Sequence, residues 1–171
     1  MGARPAARRL EEKVVAGRRR LFGDEDSETL RAIGKLAVTM AAQGELAAAR
    51  RLQETVVDGV RARHGEDGRD TLRAVNNLAG TIAAQGDLAA ARALLDEVVG
   101  TLCRAFGEED ADSLAAIGNL AAVLWQAGDH AEAYALQHQV VALQRRRLGD
   151  ADETVGAAQA VLDMMERAAG G

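Results

Sequence analysis

TLRAVNNLAGTIAAQGDLAAARALLDEVVGTL, residues 71–102, decides the fold. Its first half sets Leu72, Val75, Leu78, Ala79 and Ile82 at spacings of three and four, the stripe of an amphipathic helix. Its second half repeats the device with Leu88, Ala91, Leu94, Leu95, Val98, Val99 and Leu102. Gln85-Gly86-Asp87 between them leaves room only for a tight turn, so the two helices run antiparallel. Such a hairpin buries its apolar face only against further hairpins.

The sequence supplies them. Residues 29–57 read TLRAIGKLAVTMAAQGELAAARRLQETVV, and Ser27–Gly68 matches Arg69–Asp110 at 21 of 42 aligned positions. Ala111–Asp152 carries a third copy. Within this period lies a finer one: Gly23, Gly44, Gly65, Gly86, Gly107, Gly128 and Gly149 stand 21 residues apart. Each glycine is placed to end one helix of roughly 17–19 residues, where a positive φ costs glycine little. The expected architecture is an all-α, right-handed α-solenoid of antiparallel hairpins with about eight helices, in which each hairpin buries its face on the next. An N-terminal tail (1–5) precedes a flanking helix (6–22) in which Leu10, Val14 and Val15 keep the register of Leu52, Val56 and Val57. Three hairpins fill residues 23–151, with repeat registers 27–68, 69–110 and 111–152. A degenerate capping helix (152–168) follows, where Leu162 keeps the register of Leu36, Leu78 and Leu120, and residues 169–171 form a tail.

Composition agrees and narrows the function. The chain of 171 residues is 48% hydrophobic but only 2% aromatic, with 18 glycines and one proline, which favours helices packed by Ala, Leu and Val over a β-sandwich. A net charge of −5 argues against nucleic acid or an anionic membrane as the main partner. No run reaches the ~18 apolar residues of a membrane span, and Met1-Gly2-Ala3-Arg4-Pro5-Ala6 leads into charged sequence, so a cytoplasmic location is expected. Arg in excess of Lys, with abundant Ala and Gly, fits a bacterial chain of high genomic GC content. Cys103 is alone, which rules out an internal disulfide and a thiolate-rich metal site.

The run Thr71 to Ala79 with its Asn76-Asn77-Leu78-Ala79, followed by Gln85-Gly86-Asp87-Leu88 and Ala91, resembles the tetratricopeptide repeat (TPR) of the 42-residue kinesin-light-chain type, and the likeness covers residues 6–167. The family's aromatics are aliphatic here (Ile33, Met40, Leu46; Val75, Ile82, Leu88), and acids replace its His-Pro connector. The resemblance implies a groove lined by the first helix of each hairpin, holding an extended peptide or a partner helix. Projected onto this chain, the stripe comprises Arg31, Gly34, Lys35, Val38, Ala41 and Ala42, then Arg73, Asn76, Asn77, Gly80, Ala83 and Ala84. The third copy contributes Ala115, Gly118, Asn119, Ala122, Trp125 and Gln126. Asn77 and Asn119 match the family's backbone-holding asparagines, and Lys35 occupies that place in the first copy. Amides pair with both N–H and C=O of an extended chain, Arg and Lys take carboxylates, and Trp125 is either a rigid contact surface or a core filler.

The remaining motifs read as structural. Asp24-Glu25-Asp26, Glu66-Asp67, Glu108-Glu109-Asp110 and Asp150 with Asp152 precede first-type helices and are expected to cap them; they lack calcium-loop spacing. Arg18-Arg19-Arg20 and Arg145-Arg146-Arg147 close second-type helices, where cations suit the dipole. His130 and His138, eight apart, do not make a metal pair, and His130, at the place of Leu46 and Leu88, is expected to pack half-buried. No nucleophile elbow, phosphate loop or carboxylate pair occurs, so the chain is read as a non-catalytic protein-interaction module without cofactor or metal. Its partner would be a protein or peptide with acidic groups or a free carboxylate. Two alternatives stand beside it: self-association as a homodimer or scaffold through Leu10, Val14 and Val15, and an enzyme or an accessory factor of a bacterial biosynthetic or regulatory pathway with a small-molecule pocket around Trp125.

Overall fold

The computed structural model describes residues 3–169, with side chains from Arg8 to Ala168; the expected tails therefore lie partly outside the described residues. Eight helices make up the described residues: α1 (Ala3–Phe22), α2 (Ser27–Ala42), α3 (Leu46–His64), α4 (Arg69–Ala84), α5 (Leu88–Phe106), α6 (Ala111–Ala127), α7 (His130–Leu148) and α8 (Glu153–Ala169). α1 begins at Ala3 rather than at residue 6, because Pro5 falls in its first turn, where a missing N–H costs nothing. The helices form two compact units, Met1–Gly86 and Asp87–Gly171, and each is a stack of the same order: second-type, first-type, second-type, first-type. In the first unit α1 packs on α2, α2 on α3 and α3 on α4; in the second α5 packs on α6, α6 on α7 and α7 on α8.

All seven lattice glycines have φ between 76° and 94°. Their roles differ. Gly128, with ψ of 0°, is a left-handed helix stop, whereas Gly65, Gly107 and Gly149 combine positive φ with ψ of 177°, 158° and 163°. That second region is essentially closed to any residue with a Cβ, so the connectors after second-type helices demand glycine more strictly than a left-handed cap would.

The first unit's core gathers Val15 from α1, Ile33, Leu36 and Met40 from α2, and Ala49 from α3, with Leu52 and Val56 packed against them. Val15 is thus enclosed, while Leu10 and Val14 of the same expected stripe stay exposed. In the second copy Leu72, Ala79, Ile82, Ala91, Leu95, Val98 and Leu102 are buried, and Val75, Leu78, Leu88, Leu94 and Val99 are half-buried. Two glutamines at one repeat position are unexpected core members. Gln53 donates its amide to the Asn77 carbonyl (3.2 Å) and Gln137 donates to the Ala158 carbonyl (2.8 Å), each pinning a second-type helix to the first-type helix after it.

The acidic connectors divide their work. Asp26, Asp110 and Asp152 cap α2, α6 and α8 by accepting backbone N–H groups two or three residues on. The expectation for Glu66-Asp67 is corrected: Gly68 occupies the cap position of α4, and Glu66 instead pairs with Arg61 at 2.9 Å. The expected dipole role of the basic clusters is likewise accompanied by direct pairing, Arg19 with Asp24 (2.7 Å), Arg146 with Glu109 (2.7 Å) and Arg145 with Asp150 (3.0 Å).

The Thr29 backbone N–H, aided by its hydroxyl and the Glu28 N–H, holds the Asp26 carboxyl below its ordinary value of 3.8. A carboxyl depressed in the folded state contributes stability that is complete above its unfolded value and is lost as pH falls through the folded one. Asp26→Ala is therefore expected to lower the melting temperature at pH 7, and the gap from the parent chain should close on titration from pH 5 to pH 2. A gap that persists undiminished at pH 2 would show that the capping carboxylate is not its origin.

Candidate functional site

Antiparallel packing of α2, α3 and α4 leaves a cleft of about 380 Å³ in the first unit. α2 and α4, both first-type helices, form its walls, and α3 forms its floor. The floor is apolar, Val56 and Val60, with Gly34 of α2 beside Val56: a Cβ at Gly34 would sit 3.9 Å from the valine methyl, in ordinary contact. Elsewhere the α2–α3 approach is closer. A Cβ at Gly59 would lie 2.7 Å from both Leu30 methyls, so Gly59 is the socket that seats Leu30 and sets the spacing of the wall from the floor.

The rim is cationic. Arg31 and Lys35 stand on α2 and Arg73 on α4, with Arg63 and His64 at the end of α3; Asp70 is the one carboxylate of the lining. Arg31 pairs with Glu28 at 2.6 Å and Lys35 lies 4.0 Å from Glu11, yet both side chains remain 76% exposed and reach into solvent. Arg63 donates to the Ser27 hydroxyl at 2.7 Å, and His64 lies 3.6 Å from Asp70. Asn77 completes the α4 wall with its side chain exposed, while its own carbonyl is held by Gln53.

Of the eight residues expected to bind a partner, the structure therefore brings four together: Arg31, Lys35, Arg73 and Asn77. Asn76 is buried and does not line the cleft. Asn119, Trp125 and Gln126 belong to α6 in the second unit, Asn119 and Trp125 half-buried and Gln126 exposed. Trp125 stacks on His130 with ring centroids 4.3 Å apart and planes at 17°. This corrects the expectation for His130, which is exposed: its imidazole lies flat on the indole across the α6–α7 turn instead of inserting where Leu46 and Leu88 do. Val56, Val60 and Arg63 of α3 also line the cleft, although the groove stripe expected from the sequence runs along first-type helices alone.

Other reactive groups are occupied structurally. Burial pushes the half-buried Cys103 thiol up, away from the thiolate. Tyr134 donates to Glu166 at 2.8 Å, which raises its phenol. Among the described residues no three His, Cys, Asp or Glu side chains converge as metal ligands, and no helix is long and apolar enough to cross a membrane.

The tetratricopeptide-repeat family model matches residues 28–104 and 70–145, and a second model of the same repeat matches residues 1–28. Similar solved structures include two crystal structures of the nearly identical TPR-like repeats of a Podosopora anserina protein of kinesin-light-chain type. Each is 28% identical and covers 99% of this chain and 80% of that one, with TM-scores of 0.76 and 0.74. BtubC (BKLC) from P. vanneervenii is similar in fold, at 19% identity and a TM-score of 0.75, over 99% of this chain and 67% of its own. None of the curated proteins matches the sequence. Repeat period, hairpin geometry and family models agree, and the chain belongs to the tetratricopeptide-repeat family.

Proposed function

We propose that the chain is a non-catalytic protein-binding module whose first-unit cleft captures an acidic peptide segment, either extended or as one edge of a partner helix. One observation carries this reading: Arg31, Lys35, Arg63 and Arg73 converge with the Asn77 amide above an apolar floor of Val56 and Val60. The parts match what a peptide offers. An exposed asparagine amide can donate to a backbone carbonyl and accept from a backbone N–H, guanidinium groups take carboxylates in two-point geometry, and two valines receive an aliphatic side chain. In an acidic chain this basic rim also steers an acidic partner to one place on the surface.

A display library of random peptides with free C-termini, selected on the intact chain, tests it. Selected peptides should be enriched in Asp and Glu, and the combined substitution Arg73→Ala with Asn77→Ala should weaken the best of them about tenfold, ~1.4 kcal/mol, with the melting temperature nearly unchanged. Equal affinity in the double variant would remove the cleft as the binding site.

A further inference from the structure

The cleft lining holds one histidine, the side chain type whose charge changes between pH 5 and pH 8. His64 is the last residue of α3, and its Nε2 lies 3.6 Å from Oδ2 of Asp70, the one carboxylate of the lining. The repeat does not ask for this pair. Phe22, Phe106 and Leu148 stand at the position of His64, and Glu28, Asp112 and Thr154 at that of Asp70. The connector is shaped around the histidine. Gly68 occupies the place of the capping residues Asp26, Asp110 and Asp152, and a Cβ there would meet the His64 Cβ and carbonyl oxygen at 2.6 Å. A capping aspartate is thus sterically shut out of the start of α4, and the chain closes directly over His64.

Its charged neighbours come from every element of the cleft. Arg31 stands with Ser27 on α2, Arg63 precedes His64 on α3, and Arg73 lies one turn beyond Asp70 on α4. Of the acids in the connector, Glu66 is held by Arg61 at 2.9 Å and Asp67 is exposed. The state of His64 then decides what an incoming carboxylate meets. With the imidazole neutral, the charge of Asp70 repels the ligand. With it protonated, Asp70 is paired and a further cation joins Arg31, Arg63 and Arg73.

We propose that His64 is a proton-linked regulator of the cleft: an acidic peptide binds with uptake of a proton at His64, so capture tightens as pH falls from 8 to 6. This rests on the reading of the cleft as an acidic-peptide site. Linkage fixes the direction, because a ligand that prefers the protonated form draws a proton with it and gains affinity as protons become more abundant. Arginine and lysine keep their charge over this range and the ligand's Asp and Glu stay ionised, which leaves His64 as the lining group that changes. Solvent limits the size. The two side chains are 44% and 57% exposed, so the gain is about threefold across the range, below the roughly tenfold per pH step of a fully coupled proton.

The probe is an acidic peptide from the display selection, free of histidine, acetylated and labelled with rhodamine, whose affinity for the intact chain is read by anisotropy at pH 6, 7 and 8 and constant ionic strength. Affinity should rise about threefold from pH 8 to pH 6. His64→Phe, which carries the residue that α1 and α5 have at this position, should bind equally at both ends of the range. Asp70→Asn should tighten binding at pH 8, since no carboxylate then repels the ligand. NMR locates the proton: the His64 ring signals, assigned by their loss in His64→Phe, should titrate at higher pH with the peptide bound than without it, while those of His130 and His138 keep their midpoints. A level affinity from pH 8 to pH 6, a pH dependence that persists in His64→Phe, or a His64 midpoint that the peptide leaves in place overturns the proposal, and the cleft reading stands. A selection that yields no acidic peptide overturns both.

Discussion

Ile33→Ala is expected to destabilise the chain by about 2–5 kcal/mol, read as a fall in the urea midpoint at constant slope. Ile33 is 0% exposed and sits where three helices meet, touching the cluster of Val15, Leu36, Met40 and Ala49. Truncating it removes transfer free energy and leaves a cavity. That cavity collapses poorly, because Ala37 and Ala49 beside it are also fully buried and too small to fill it. Total stability in a protein of this size is about 5–15 kcal/mol, so the change is a large fraction of the whole. Val38→Ala, on the same helix but 49% exposed at the cleft mouth, should cost below about 0.5 kcal/mol. A loss under ~1 kcal/mol at Ile33 would mean that the stripe assigned to the core is wrong.

That stripe is legible in the sequence. Leu30, Ile33, Leu36 and Ala37 recur 42 residues on as Leu72, Val75, Leu78 and Ala79, so a hairpin stack is the economical way to bury them all. The glycine ruler fixes the helix ends, and each lattice glycine has positive φ. Neighbours on one helix are harder to separate. Asn76 and Asn77 lie about 100° apart around the axis, Asn76 beside the edge of the stripe of Leu72, Val75, Leu78, Ala79 and Ile82 and Asn77 nearly opposite its centre. Asn76 is buried and Asn77 faces the cleft. Gly17 and Gly59 are identical in type and register, and only the helix packed opposite makes one a filled socket and the other an open one. The repeat position of His130 reports only where its side chain starts. It does not report that an indole next door offers the ring a flat surface.

Reversing the charge of the cleft rim should have the largest effect on binding. Arg31→Glu, Lys35→Glu and Arg73→Glu together are expected to weaken an acidic peptide about a hundredfold, ~2.7 kcal/mol, while the parent melting temperature is kept within a few degrees. The size follows from exposure. Arg31 and Lys35 are 76% exposed, so each attraction is worth only the ~0.2–1 kcal/mol of a solvated pair, and replacing attraction by repulsion roughly doubles the difference at each site. Ion pairing inside the fold opposes the change only weakly, since Glu28 and Glu11, the partners of Arg31 and Lys35, lie at the surface or reach just 4.0 Å. Because the interaction is solvent-exposed, salt should erase it: at 1 M NaCl the Debye length falls to ~3 Å and the triple variant should approach the parent affinity. What then remains is the contribution of Val56, Val60 and Asn77, which salt does not screen, so Asn77→Ala should still weaken binding at 1 M NaCl. A hundredfold gap that survives high salt would instead mean that the substitutions had deformed the cleft, and a gap absent at low salt would mean that its basic rim does not select the partner.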